Sequence, residues 1–130
     1  MADSEFDLRA PEPTPDDALR IDDPYFTDET VALVTGAASG IGRATAVALA
    51  ANGLTVVGAD VDEEGLAGTT EAVDGFDVDG RFEGVPTDLT DDADVEAVVD
   101  AAAAEGGLRF VANVAGMQHI ASIPEFPMEK

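Results

Sequence analysis

VALVTGAASGIG, residues 31–42, is the stretch whose reading decides the fold. Val31-Ala32-Leu33-Val34 is a β-branched, apolar run that stops at Thr35-Gly36, and a periodic apolar pattern begins as glycines recur at 36, 40 and 42. That order reads as a buried strand, a tight turn and a helix. Gly36 lets the chain turn sharply, Gly40 lets backbone approach a ligand with no Cβ in the way, and Gly42 allows close helix–strand packing. The helix directs its unsatisfied N–H groups and positive dipole end at the turn, which favours an anionic group such as a pyrophosphate there.

Working outward, Ile41, Ala44, Thr45, Ala48 and Ala51 are expected on one apolar helical face, closed by Asn52-Gly53. Leu54 to Ala59 reads as a second short strand ending at Asp60. Asp62-Glu63-Glu64 starts a second helix that Gly65 and Gly68 weaken. Arg81 to Pro86 is a third strand interrupted by Gly84 and Pro86. Thr90 or Asp91 can cap a third helix whose apolar face is Val95, Val98, Val99, Ala102 and Ala103, with Asp91, Asp92 and Asp94 loading its first turn. After Gly106-Gly107, Leu108 to Val114 reads as a fourth strand.

Strands that alternate with helices in this way imply β-α-β crossovers and a parallel sheet covered on both faces. The expected class is α/β, a Rossmann-type doubly wound sheet of order 3-2-1-4 truncated after the fourth strand, with ligands at the carboxyl ends of the strands. Asp60, Asp88 and Asn113 all fall at or near such ends.

The formal net charge is −22, from 28 Asp and Glu against 6 Lys and Arg in 130 residues. Such a surface repels nucleic acid and anionic membranes, so neither is an expected partner. The acidity runs the length of the chain and Lys130 is its only lysine, which suits a salt-rich, halophilic cytoplasm where screening lengths fall to about 3 Å at 1 M. A hydrophobic fraction of 45% argues against global disorder. The absence of cysteine excludes a disulfide framework, a thiolate metal site and a cysteine nucleophile. No run approaches the roughly eighteen apolar residues of a membrane helix. The expected location is cytoplasmic.

Residues 1–29 carry Pro11, Pro13, Pro15 and Pro24 among many acidic groups and read as a disordered extension, although Ile21, Tyr25 and Phe26 could dock on the domain. Residues 30–130 are the expected cofactor-binding domain. Within it, Asp60 lies about twenty residues beyond the glycine turn, where a carboxylate accepts hydrogen bonds from both adenosine ribose hydroxyls and repels a 2′-phosphate. Ser39 is not basic, and Arg43 is either a solvated residue of the first helical turn or a phosphate ligand. The expected cofactor is therefore NAD.

The Gly-x-x-x-Gly-x-Gly spacing after Thr35 resembles the cofactor loop of the short-chain dehydrogenase/reductase family. Asp88-Leu89 matches that family's adenine-holding pair after the third strand. Asn113-Val114-Ala115-Gly116 matches its Asn-Asn-Ala-Gly, with Val114 in place of the second Asn. The resemblance runs from about Thr30 to Lys130. It implies cofactor contacts from Gly36, Ser39, Gly40, Ile41, Gly42, Asp60, Asp88, Leu89, Asn113, Ala115 and Gly116. Gly116 to Ile123, followed by Glu125-Phe126-Pro127, looks like the matching segment of 3-hydroxybutyrate dehydrogenases, in which a Gln at the position of Gln118 helps hold the substrate carboxylate. By residue type alone Gln118 is equally an ordinary loop residue. His119, the only histidine, reads as structural or surface, and no metal site is expected.

The family's catalytic Ser and Tyr-x-x-x-Lys have no match here. Tyr25 is the sole tyrosine and Glu29 stands four residues after it, so the chain is expected to be the cofactor-binding half of a longer enzyme. The resemblance implies an NAD-dependent oxidoreductase of a small hydroxy acid such as 3-hydroxybutyrate, with a homo-oligomer for the whole protein. The rival from another class is a non-catalytic NAD-binding or regulatory module.

Charge repulsion and an apolar fourth strand at a sheet edge give one expected outcome. Circular dichroism of the chain gains structure between dilute buffer and about 1 M salt, and gains more with NAD, which binds only the folded form. A cooperative thermal transition in dilute buffer, indifferent to salt and NAD, contradicts it.

Overall fold

Thr30–Thr35 forms strand β1, and all six of its residues are buried. A strand buried on both faces needs a paired neighbour at each edge and cover above and below, and the rest of the chain supplies all four. The computed structural model describes residues 19–76 and 79–116. After β1 come α1 (Gly40–Ala51), β2 (Thr55–Asp60), α2 (Glu63–Gly75), β3 (Arg81–Pro86), α3 (Asp92–Ala104) and β4 (Gly107–Asn113). The sheet has the order β3-β2-β1-β4 and every pairing is parallel, as the sequence predicts.

Side-chain alternation along β1 divides the core in two. Ala32 and Val34 face α1 and α2, together with Val56, while Val31 and Leu33 join Val57 and Ala59 against Val98 and Ala102 of α3. The strand ends are level: Thr35 pairs with Ala59 on one side and Asn113 on the other, and Ala59 pairs with Val85. Four carboxyl ends therefore open onto one edge of the sheet.

The buried face of α1 differs from the expected one. Gly42, Ala46, Val47, Ala50 and Ala51 face inward, whereas Ile41 is 74% exposed and Ala44 is also exposed. Gly42 fixes this phase, because a Cβ there would overlap the Gly36 carbonyl. The helix rests on the turn itself, and only glycine permits that approach.

The two glycines expected to weaken α2 are spacers in its packing. A Cβ on Gly65 would lie 2.6 Å from the Ala38 Cβ, and one on Gly68 would lie 2.7 Å from Nη2 of Arg43. Asp62 caps this helix, accepting from the Gly65 N–H at 3.0 Å. Asp91, one of the two expected candidates, caps α3 by accepting from the N–H groups of Ala93 and Asp94. Of the predicted α3 face, Val98 and Ala102 are buried while Val99 and Ala103 are exposed, so only part of that face covers the sheet.

β4 begins one residue earlier than expected and carries an irregularity. Its register on β1 jumps from Val31↔Leu108 to Ala32↔Phe110, leaving Arg109 as the extra residue. Leu108 thus packs on the α3 side, and Phe110 and Ala112 on the other. The Arg109 guanidinium stacks 3.9 Å from the ring centroid of Tyr25, and Phe110 meets Phe26 edge-on with centroids 5.8 Å apart. Further along the segment before β1, the Asn52 side chain holds the Leu19 carbonyl at 2.7 Å and the Ile21 N–H at 2.6 Å, and Arg20 donates to the Ala51 carbonyl. Among the described residues no helix is long and apolar enough to cross a membrane.

Buried Gly58 and exposed Gly75 leave sharply different room for a side chain. A Cβ on Gly58 would overlap the Phe82 ring and lie 2.7 Å from the Ala37 Cβ, while one on Gly75 meets nothing within 4 Å. Gly58→Ala is expected to destabilise by about 1–3 kcal/mol through overpacking. Gly75→Ala is expected to be neutral or stabilising by up to about 1 kcal/mol. Thermal unfolding of the two variants checks the contrast, and an undisturbed Gly58→Ala would contradict this packing.

Candidate functional site

The level strand ends, the glycine turn and the loop after β3 enclose an open cleft of about 690 Å³. Its wall includes Gly36, Ser39, Gly40, Ile41 and Gly42 from the first turn, Ala59, Asp60 and Val61 from the end of β2, Thr87 to Thr90 after β3, and Val114 to Gly116 after β4. Each group arrives there for a local reason.

Gly36 has φ +71° and its N–H donates to the Ala59 carbonyl at 2.9 Å, which bends the chain off β1 toward β2. A Cβ on it would stand 2.9 Å from the Ala115 nitrogen, so the turn also seats the residues after β4. Gly40 has φ +55° and open space where a Cβ would be. Ser39, in the N-cap position of α1, makes no side-chain cap hydrogen bond. The first-turn N–H groups of Gly40, Ile41 and Gly42 stand at the cleft wall without that internal acceptor, an arrangement suited to an anion.

Asp60 is held from two sides. Its Oδ2 accepts from the Ala38 N–H and its Oδ1 from the Asp62 N–H, both at 3.1 Å. A carboxylate offers about four acceptor sites. Two are engaged in fixing its orientation, and among the described residues no further donor takes the others.

Arg43 fits neither of its sequence readings. Its Nη2 donates to the Ala38 carbonyl at 2.6 Å and the Gly65 carbonyl at 2.9 Å, and its Nε donates to the Thr69 hydroxyl at 3.0 Å. It is half-buried between α1, the turn and α2, and it is absent from the cleft wall. Backbone carbonyls that only the tertiary fold brings together have captured the guanidinium.

After β3, Thr87 donates its N–H to the Asp60 carbonyl at 2.8 Å, which brings Asp88 and Leu89 to the cleft. Oδ1 of Asp88 accepts from the Thr90 hydroxyl at 2.6 Å and the Thr90 N–H at 2.9 Å. The Thr90 hydroxyl first, then its N–H, holds the Asp88 carboxyl below the usual carboxylate value. Three exposed apolar residues, Ile41, Val61 and Leu89, line this same cleft. Apolar surface left open beside convergent polar groups is the composition of a small-molecule site.

Thr35 closes the far side. Its Oγ1 accepts from the Val114 N–H at 3.1 Å and the Ala115 N–H at 3.2 Å. The fold thus brings Gly36, Ser39, Gly40, Ile41, Gly42, Asp60, Asp88, Leu89, Ala115 and Gly116 to one cleft. Asn113 instead lies opposite Thr35 in the last pair of β4, off the cleft wall. Gln118, with the rest of 117–130, lies outside the described residues. The sequence assigns no site role to Ala59, Val61, Thr87 and Val114 on the wall or to the Thr35 hydroxyl, and offers Thr90 only as a candidate cap for α3, a place that Asp91 takes. Val61 had a signal in following the strand-end carboxylate and Thr90 had one in standing two residues after Asp88, but the Thr35 bonds depend on backbone groups 79 and 80 residues away.

Known proteins share this architecture. A family model described as short chain dehydrogenase matches residues 30–130. D-threitol dehydrogenase of Mycolicibacterium smegmatis is 38% identical over 112 residues, covering 85% of this chain and 42% of that protein. D-beta-hydroxybutyrate dehydrogenase of Cupriavidus necator is 35% identical over 100 residues, covering 76% and 38%. The chain thus spans about two fifths of the length of these curated relatives. Among solved structures, a short chain dehydrogenase/reductase of Burkholderia phymatum in complex with NAD superposes with a TM-score of 0.59 at 39% identity, covering 67% of this chain and 31% of that one. A variant of actinorhodin polyketide ketoreductase with NADPH gives 0.66 at 33%, covering 78% and 39%.

The Asp88–Thr90 pair yields an outcome with a definite sign. A folded value below the ordinary one means that this bond's contribution is present above the unfolded pKa and is lost as pH falls through the folded one. Thr90→Val removes the hydroxyl donor and is expected to raise the Asp88 carboxyl toward the ordinary carboxylate value in an NMR titration. An unmoved titration would show that the hydroxyl does not hold the carboxylate.

Proposed function

We propose the function from one premise: this chain belongs to the short chain dehydrogenase family. Members of that family use nicotinamide cofactors, and NAD is the proposed occupant of the cleft. Its pyrophosphate sits at the Ser39–Gly42 turn, its adenosine ribose on Asp60, its adenine beside Asp88 and Leu89, and Ala115-Gly116 lies toward the nicotinamide half. Asn113 supports the end of β4 from behind. Residues 30–130 form the cofactor-binding unit.

The fixed Asp60 carboxylate carries the preference for NAD over NADP. The acceptor sites that no donor among the described residues takes suit two ribose hydroxyls, and among those residues no cationic side chain lines the cleft to receive a 2′-phosphate. NAD supplies hydride transfer when bound, and these residues bind it, orient it and exclude the phosphorylated form.

For the whole protein the proposed reaction is oxidation or reduction of a small hydroxy acid, with 3-hydroxybutyrate as the leading substrate and Gln118 as a carboxylate donor. The relative from Cupriavidus necator and the segment around Gln118 support this, and the D-threitol relative names a polyol as the competing class. A homo-oligomer working in the cytoplasm completes that proposal. One observation favours a second reading, a non-catalytic NAD-binding module: Asp60 and Asp88 are the only ionisable side chains on the described cleft wall. Both are already engaged by backbone or hydroxyl donors.

Calorimetric titration with NAD and NADP tests the cofactor proposal. The chain is expected to bind NAD in preference, and Asp60→Ala is expected to weaken NAD by about tenfold, the worth of a charge-assisted hydrogen bond, while narrowing the gap to NADP. An NAD affinity untouched by Asp60→Ala means that the carboxylate does not face the ribose. Assay of the whole protein for NADH formation with 3-hydroxybutyrate and with D-threitol separates the two substrate classes, and absence of turnover with either leaves the binding module.

A further inference from the structure

Ala38 is gripped from two directions. Its N–H donates to Oδ2 of Asp60 at 3.1 Å, and its carbonyl accepts from Nη2 of Arg43 at 2.6 Å. The same Nη2 reaches the Gly65 carbonyl at 2.9 Å, and Nε reaches the hydroxyl of Thr69, which is fully buried and donates to the Ala37 carbonyl at 2.6 Å. The turn residues Ala37 and Ala38 are therefore tied to α2 through one guanidinium and one hydroxyl. The seat is shaped for the group, because a Cβ on Gly68 would come within 2.7 Å of Nη2.

We infer that Arg43 is a positioning residue for nucleotide selectivity: by holding the Ala38 carbonyl, it keeps the Ala38 N–H aimed at Asp60 and so fixes the carboxylate that meets the ribose. The inference rests on the cofactor reading above and deepens it. Without the guanidinium, the carbonyls of Ala38 and Gly65 lose a charged donor in a half-buried site, and the turn shifts to find another. Asp60 then loses one of its two backbone anchors. Lost orientation weakens the ribose bonds of NAD and relaxes the repulsion of a 2′-phosphate, whereas general damage to the turn weakens both nucleotides alike. The ratio of the two affinities isolates the positioning effect. A phosphate-binding Arg43 moves that ratio in the opposite direction, since its removal would harm NADP alone.

The test is a double-mutant cycle on the full chain, with dissociation constants for NAD and NADP measured for wild type, Arg43→Met, Asp60→Ala and the double variant. Arg43→Met is expected to weaken NAD by about tenfold and to lower the NAD-to-NADP preference by at least about threefold. In the Asp60→Ala background the same substitution is expected to change NAD affinity by less than about threefold, because the group it positions is gone. Arg43→Lys, whose ammonium can reach a carbonyl but lacks the planar fork, is expected to recover part of the preference. It carries the measurement if Arg43→Met does not fold. A preference that rises on losing Arg43, or equal losses for both nucleotides in both backgrounds, overturns the inference. A wild-type chain that binds neither nucleotide overturns the cofactor reading and the inference with it.

Discussion

The structure depends on one close approach, that of α1 to the Gly36 carbonyl, where even the Cβ of alanine at Gly42 would overlap. With the helix seated on the turn, its phase is no longer free. Ala46, Val47 and Ala50 turn down onto β1 and β2, and Ile41 is left facing the cleft. An apolar side chain remains exposed because the packing beneath it is satisfied first. The same seat sets how near α2 can come, since Ala38 of the turn fills the space that a side chain at Gly65 would need.

Much of this was legible in the sequence, because local chemistry and tertiary structure agree. The β-branched run of β1, the strand-end carboxylate Asp60 and the Asp91 cap are each decided by neighbours within a few residues. The strand order followed from the alternation of elements. Three features were not legible. The α1 face is hidden because alanines lie all round that helix, so hydrophobic period alone does not choose among them, and the deciding contact is backbone to backbone. The place of Arg43 is hidden because two of its three acceptors, the Gly65 carbonyl and the Thr69 hydroxyl, lie 22 and 26 residues away. The extra residue at Arg109 interrupts a pattern that reads as a plain strand.

The scarcity of cations gives the few that exist distinct jobs. The chain has only 6 Lys and Arg, and each of the four arginines among the described residues has a defined partner. Arg20 meets the Ala51 carbonyl at the end of α1, Arg43 ties the turn to α2, Arg81 pairs with Glu105 at 2.6 Å and Arg109 stacks on Tyr25. Around Arg81 the acidic surplus is felt directly. The hydrogen bond between Glu83 and Glu105 pushes the Glu83 carboxyl above its ordinary value while lowering that of Glu105, with Arg81 favouring the charged form of both. Where carboxylates crowd across β3 and α3, one arginine reduces a repulsion that the sequence makes unavoidable.

The Thr35 hydroxyl, which takes the N–H groups of Val114 and Ala115, has a thermodynamic consequence. It ties the exit of β4 to the end of the central strand, so two walls of the cleft form one stiff frame. A ligand entering the cleft finds the backbone of Val114 and Ala115 already held, so it need not order those residues on binding. Between two ligands that make the same contacts, the one with fewer torsions of its own to fix then gains more from this cleft.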